Sequence, residues 1–303
     1  MKVKIIADST SYLNKRLTTF ILEYPRYIHS ELLTHRLFNK NSGSSRAIPF
    51  EKFVENIKTN KVLPIWTENK KGMQGDVIDN FNIISKADDI WEESRDETIK
   101  YATKLHELGI HKQNVNRLLE PWMNIKIVLT ATEFDNFFDL RLHEDAHPEI
   151  NKLAELMDVA MKRSTPKFLQ PGEWHIPFGD VTIKSPNPFT GGTISMMAIP
   201  EFELETILKV SIARCARVSY NNFEGSIDVD KDIELYNKLI VSEPLHASPA
   251  EHQGRVPFPN ELEHLGSKWK YIDEKWTEVR GKYFSSLSGF IQLRKLIETK
   301  EFI

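Results

Sequence analysis

The chain is short of several things, and each shortage excludes a class of protein. It has one cysteine, Cys215, among 303 residues. That excludes an intramolecular disulfide framework and any multi-cysteine metal site, and it fits a reducing compartment. It has no surplus of positive charge: 40 Lys+Arg stand against 43 Asp+Glu, a net charge of −3. No global basic field therefore draws it onto nucleic acid. No apolar run reaches the length needed to span a membrane, and the opening MKVKIIADST is too short and too polar for a signal peptide. Internal repeats and low-complexity tracts are also missing. The expectation is a soluble, cytoplasmic protein with neither nucleic acid nor membrane as a partner. What remains is ordinary for a globular chain, with 40% hydrophobic and 10% aromatic residues, enough for one large domain or two modest ones.

The pattern along the chain alternates between strand and helix signals. Residues 2–7 and 17–24 read as strands, the second by its β-branched and aromatic content. Phe50, Phe53, Val54 and Ile57 have helical spacing over residues 50–60, and a longer helical pattern runs from Ile78 to Leu108, ended by Gly109. Residues 113–162 read as mostly helical, with Pro121 and Pro148 interrupting or starting helices. Residues 166–200, rich in proline and glycine, read as a loop-and-hairpin excursion with β-type patches at 174–178, 181–183 and 193–198. Helices are expected again over 203–216 and 229–242, with Cys215 at a helix-to-strand junction, and the chain closes on the helical segment GFIQLRKLIETK.

Residues 30–49, SELLTHRLFNKNSGSSRAIP, stand out. A helix from about Pro25 is expected to place Glu31 and His35 on one face and to fail by Asn39. The polar run that follows offers hydroxyls, amides and backbone N–H groups, with Gly43 free to turn and Arg36 and Arg46 at its flanks. Arginine forks suit phosphate, so the stretch reads as an anion cradle. The plainer account is a surface loop with two solvated arginines. Arg117 and Arg141 lie in apolar surroundings, where an arginine is partnered or snorkels. For Arg141 the partner is either an acid such as Asp139, Glu144 or Glu149, or a ligand anion. His143-Glu144-Asp145-Ala146-His147 matches a zinc-peptidase pattern, but that pattern needs an unbroken helix and Pro148 follows at once. No metal is assigned. Cys215, in IARCARVSY, reads as a small buried hydrophobe and not as a nucleophile.

Taken together, these pieces resemble the flavin-dependent thymidylate synthases. That family carries R-H-R, seven residues, then S-x-R; here stand Thr34-His35-Arg36 and, after the same gap, Ser44-Ser45-Arg46. Its later N-F-L-x-L-R and A-Q-x-E-I resemble residues 136–141 and 146–150, and its arginine before a leucine-proline step resembles Arg117. Two further pieces, A-R-V-S-Y and H-x-S-P-x-E-H, appear at 216–220 and 246–252. In the usual order these two come first, so the arrangement resembles a permuted, phage-type branch.

The resemblance implies an α+β fold with a mostly antiparallel sheet flanked by helices. It implies one catalytic domain over 1–303, with a helical insertion at 55–112 and a loop/hairpin insertion at 166–200. It implies FAD, NADPH as reductant, methylene-tetrahydrofolate as one-carbon donor, a deoxypyrimidine monophosphate as substrate, and a homotetramer with shared active sites. By matching positions, Arg141 is the catalytic arginine that stabilises charge on the uracil. Ser44, Ser45, Arg46 and Arg117 match nucleotide-binding positions. His35, Arg36, Asn136, Ser219 and Ser248 match flavin-contacting ones. The chain departs from the pattern at Glu31, Thr34, Asn39, Ser42, Ala47, Thr132 and His147. Glu31, beside the substrate, either accepts from an exocyclic amine or rejects a nearby phosphate. The expected reaction is reductive methylation of dUMP to dTMP. The alternatives are C5 hydroxymethylation of dUMP or dCMP, and a flavin- or nucleotide-binding homologue without catalysis.

Overall fold

The structure is a computed structural model that describes residues 1–72, 75–179, 182–186, 193–197, 200–220, 228–264, 269–272, 275–278 and 284–302. The chain begins with β1 (Lys2–Ser11) and β2 (Arg16–Pro25), then a 3₁₀ turn Arg26–Ile28, α1 (His29–Leu33) and β3 (Asn39–Ser42). After a 3₁₀ turn Ser45–Ala47 come α2 (Phe50–Thr59), α3 (Phe81–Glu107) and α4 (Lys112–Val115). A 3₁₀ segment Asn116–Trp122 leads into β4 (Asn124–Ala131), α5 (Asp135–Arg141) and α6 (Pro148–Arg163). The rest comprises β5 (Lys167–Leu169), β6 (Trp174–His175), β7 (Thr182–Pro186), β8 (Thr193–Met197), α7 (Pro200–Ser219) and α8 (Val229–Tyr236). It ends with β9 (Gly254–Arg255), α9 (Glu261–His264), β10 (Trp269–Ile272), β11 (Lys275–Glu278), β12 (Ile291–Gln292) and α10 (Leu293–Glu298).

The main sheet has the order β3-β4-β2-β1-β5, antiparallel except for the β1/β5 edge. Alternation along β2 and β4 explains its two buried faces. Phe20, Leu22 and Tyr24 with Ile125, Ile127 and Leu129 point to one side, against Phe137 of α5 and Ile150, Leu153 and Met157 of α6. Ile21 and Val128, between them in register, point to the other side, against Cys215 and Val218 of α7. This is the α+β, mostly antiparallel, helix-flanked architecture expected from the sequence.

The helices α2 and α3 build a separate cluster with the 3₁₀ segment, in which Phe53, Ile57, Ala102, Leu119 and Trp122 are buried together. Asn80 caps α3 by accepting from the N–H of Asn82 and Ile83, and Gly109 at φ +79° lets the chain leave it.

Four local expectations are corrected. Residues 113–162 are mostly helical as expected, but the reading missed NIKIVLTA, which forms the central strand β4; a strand buried on both faces loses the alternation that would mark it. The polar run after His35 is not all loop: residues 39–42 pair with β4 as an edge strand. Pro25 is the last residue of β2 and the cap of the 3₁₀ turn Arg26–Ile28, not a first-turn residue of an α-helix, and α1 ends at Leu33, before Asn39 as expected. Cys215 lies inside α7, which runs through the expected junction to Ser219. The β7/β8 hairpin lies where a hairpin is expected; of its two patches, Val181 and Ala198 lie outside the described residues.

Candidate active site

Arg141 sits at the C-terminal end of α5 and reaches across to the end of α1. Its Nε donates to His35 Nε2 at 3.1 Å, and its Nη2 lies 3.3 Å from Thr34 Oγ1 and 3.5 Å from the Glu31 carbonyl. Its Nη1 is 3.8 Å from Glu31 Oε2, an ion pair beyond hydrogen-bond reach. The partner acid is thus Glu31, and not Asp139, Glu144 or Glu149. To accept from a guanidinium, His35 must be neutral at Nε2. Burial, helped by the charges of Arg141 and Lys40, holds it so, pushing its pKa down to about 4. The ring is wedged between Phe38 (5.6 Å) and Phe137 (4.9 Å, edge-on). A fixed guanidinium therefore has one edge held by the fold and the Nη1 edge open to an incoming acceptor.

A second group assembles around the 3₁₀ turn Ser45–Ala47. Gly43 and Ser44 donate their N–H to the carbonyls of Lys126 and Ser219 at 2.8 and 3.0 Å. Asn116, fully buried, donates to the carbonyls of Ser45 and Ile48. Ser45 Oγ donates to Glu120 Oε1 at 2.6 Å. Glu120 also gathers Arg117 at 3.3 Å and Arg26 at 3.7 Å. Arg26, His29, Ser30, Leu33, Arg117 and Glu120 line a recess of about 370 Å³. On the other side of the turn, Ala47, Lys52, Lys126 and Tyr220 help line a cleft of about 900 Å³.

The late motif pieces come back to this turn. Ser219 meets Ser44 through its carbonyl, and Ser248 Oγ accepts from Asn41 Nδ2 at 3.4 Å. Arg217 is committed to the fold: with Arg214 it clamps the fully buried Asp232, at 2.6 and 3.0 Å. Arg36, Arg46 and Asn136 are exposed and have no partner among the described residues.

The structure thus joins His35, Glu31 and Arg141 in one group, and Ser44, Ser45, Arg117 and Ser219 in another, with Ser248 tied to β3. It does not join the first two groups to each other. Ser30 and Leu33 of α1 face the recess, while Glu31 and Thr34 face Arg141. Sequence reasoning missed Glu120, Asn41 and Asn116. Only Glu120 left a signal, an acid three residues after Arg117.

The two rejected sites have physical grounds. Cys215 is fully buried, and burial raises its thiol well above the ordinary range. Residues 143–147 form a turn between α5 and α6, so the two histidines do not share a helical face. No helix among the described residues is long and apolar enough to cross a membrane.

The arginines Arg26 and Arg117 thus line the smaller recess, and the lysines Lys52 and Lys126 the larger cleft, both beside the 3₁₀ turn that follows the edge strand β3. The family model described as "Thymidylate synthase complementing protein" (Thy1) matches residues 5–167, and the chain belongs to that family, the flavin-dependent thymidylate synthase family. Its chemistry is, in general terms, methylation of pyrimidine nucleotides. Among solved structures, the chain is similar to a UMP/dUMP methylase, PolB from Streptomyces cacaoi, bound with 5-Br UMP. The TM-score is 0.43 and the identity 16%, covering 54% of this chain and 88% of that one. No curated protein matches the chain.

Proposed function

We propose that the protein transfers a one-carbon unit from methylene-tetrahydrofolate to C5 of dUMP, giving dTMP, with FAD as its cofactor and NADPH as the reductant. The observation that carries this is the open edge of Arg141, a cation held by a neutral histidine acceptor. Beside a pyrimidine it stabilises negative charge on the ring and so makes C5 the better nucleophile. Arg46 and Arg117, with the N–H groups of the 3₁₀ turn, hold the phosphate by charge-assisted hydrogen bonds. The donors of Arg36, Asn136 and Ser248 fit a flavin, whose ring carbonyls and pyrophosphate are all acceptors. When bound, the flavin supplies the reducing equivalents that turn the transferred carbon into a methyl group. The homotetramer implied by the motifs is the natural route to bringing the two groups of residues to one substrate.

The test is product analysis by mass spectrometry with FAD, NADPH, methylene-tetrahydrofolate and either dUMP or dCMP. A product heavier than dUMP by one CH2 supports the proposal. A product heavier than either nucleotide by CH2O supports hydroxymethylation instead. Glu31 favours that second reading: its carboxylate beside Arg141 can accept from the exocyclic amine of a cytosine. Flavin uptake without any product overturns both.

A further inference from the structure

Seven polar side chains form one unbroken line of hydrogen bonds through the protein. Ser9 Oγ meets His175 Nδ1 at 2.9 Å, and His175 Nε2 meets Thr19 Oγ1 at 2.8 Å. Thr19 Oγ1 meets Thr130 Oγ1 at 2.8 Å, across directly paired positions of β2 and β4. Thr130 Oγ1 meets His252 Nδ1 at 2.8 Å, and His252 Nε2 meets Asn41 Oδ1 at 3.0 Å. Asn41 Nδ2 reaches Ser248 Oγ at 3.4 Å. All are buried except Ser248, which is exposed.

A neutral imidazole has one donor and one acceptor nitrogen, and a hydroxyl has one proton to give. Burial keeps both rings neutral, holding each near pKa 3. Asn41 Oδ1 offers only lone pairs, so His252 carries its proton on Nε2. Its Nδ1 then accepts from Thr130, whose oxygen accepts from Thr19. Thr19 in turn accepts from His175 Nε2, and His175 Nδ1 accepts from Ser9. Every proton is used once. At the far end Asn41 fills a lone pair of Ser248, and the Ser248 proton is left to point outward.

Turning the Asn41 amide end for end would reverse the whole line. Ser248 would then spend its proton on Asn41, and Ser9, only 5% exposed, would keep a proton with no acceptor among the described residues. A buried donor left without an acceptor is costly, whereas an exposed hydroxyl always finds one. The buried end therefore favours the first direction.

The geometry points to His252 as a positioning residue that fixes the Asn41 amide and so presents the Ser248 hydroxyl as a hydrogen-bond donor to an acceptor on the bound flavin. The identity of that acceptor rests on the flavin reading above; the direction of the line does not.

The experiment has two arms on the full-length protein. In the first, ¹⁵N NMR of the ligand-free protein reads the ring nitrogens. Neutral His252 with its proton on Nε2 is expected, and a proton on Nδ1 overturns the proposal. In the second, FAD is titrated into S248A, H252L, H252Q and the H252L/S248A pair. S248A and H252L are each expected to weaken FAD about tenfold, the size of one hydrogen bond. The pair should be no weaker than S248A alone, because His252 acts through Ser248. H252Q, which supplies an acceptor to Thr130 and a donor to Asn41, should retain most of the affinity and keeps the test open if H252L does not fold. Losses that multiply in the pair, or H252Q no better than H252L, make His252 merely structural and overturn the proposal. A wild-type protein that takes up no flavin sinks the flavin reading, and the ring tautomer alone then upholds or overturns the line's direction.

Discussion

Two populations of polar side chains are built differently in this protein. In the interior, His175, His252, Thr19, Thr130 and Asp232 are buried, and each is bonded to a named neighbour. At the rim, Arg36, Arg46 and Asn136 are exposed, with no partner among the described residues. Arg141 stands between the two, half held and half open. Among the interior groups the two histidines are held neutral by burial. Rim groups contribute little to the fold and are free for a ligand. A substitution in the first population should act on stability, and one in the second on binding.

The sharpest way to break that division is acid. His29 and His35 are held near pKa 4, and His175 and His252 near 3, against 6.5 for a free imidazole; in each case burial is the main cause. As pH falls below about 6.5 the unfolded chain takes up these protons and the native protein does not. Stability should therefore drop by about 1.4 kcal/mol per pH unit for each histidine until its folded value is reached. Urea midpoints at pH 7, 6 and 5 measure this. A midpoint that holds steady to pH 5 would mean that the interior histidines are not locked.

At the boundary, Arg141→Lys removes the fork and keeps the charge. Turnover should fall roughly 10²–10³-fold, the size of losing a preorganised donor to developing charge, with a small change in urea midpoint. Wild-type turnover in that variant would remove Arg141 from the chemistry. Asp232→Asn weakens the clamp on two arginines and should cost about 3 kcal/mol, read as a lowered Tm. Unchanged stability would show that the clamp is not part of what holds α7 to α8.

How much of this was legible beforehand depends on the range of the interaction. β2, α2, α3 and the proline start of α6 follow from local pattern. β4 does not, since burial on both faces erases the period, and β3 does not, since its polar side chains are satisfied only by distant partners. Asn39 donates to the Thr130 carbonyl and accepts from Ser286, and Asn41 bonds to His252 and Ser248. The motif residues could be picked out by type and spacing, but their partners could not. Nothing near Ser45 in the chain announces Glu120, and nothing near Ser9 announces His175. The late motifs at 216–220 and 246–252 lie outside the matched 5–167. Yet the fold returns Ser219 to Ser44 and Ser248 to Asn41, although each pair is far apart along the chain.

The rim offers the converse test. Arg46→Ala should weaken nucleotide binding about tenfold, as loss of a hydrogen bond to a charged group does, and leave stability within about 0.5 kcal/mol. Equal loss of stability and affinity would place Arg46 among the interior residues after all.

The smallest effect is expected where the two populations touch. Glu149, buried at the start of α6, accepts from the Ile65 N–H at 2.6 Å and from Tyr27 at 2.8 Å. His147, half-exposed, lies 2.8 Å from its other oxygen. Burial works to raise the Glu149 pKa, but the hydrogen bonds from His147, Ile65 and Tyr27 outweigh it and the carboxyl is held below 4.5. The hydrogen bond to Glu149 raises His147 above 6.5. Its sign is thus opposite to that of the four buried histidines. The contribution is present below about pH 6.5 and is lost as pH rises through the folded value. Because His147 faces solvent, the gain is screened to no more than about 0.5 kcal/mol. Between pH 6 and 8.5 the buried histidines stabilise both proteins as pH rises, and the wild-type protein should gain that much less than His147→Gln, read as the difference between their urea midpoints. Parallel curves for the two proteins would mean that His147 behaves as a rim residue and that Glu149 is held by Tyr27 and Ile65 alone.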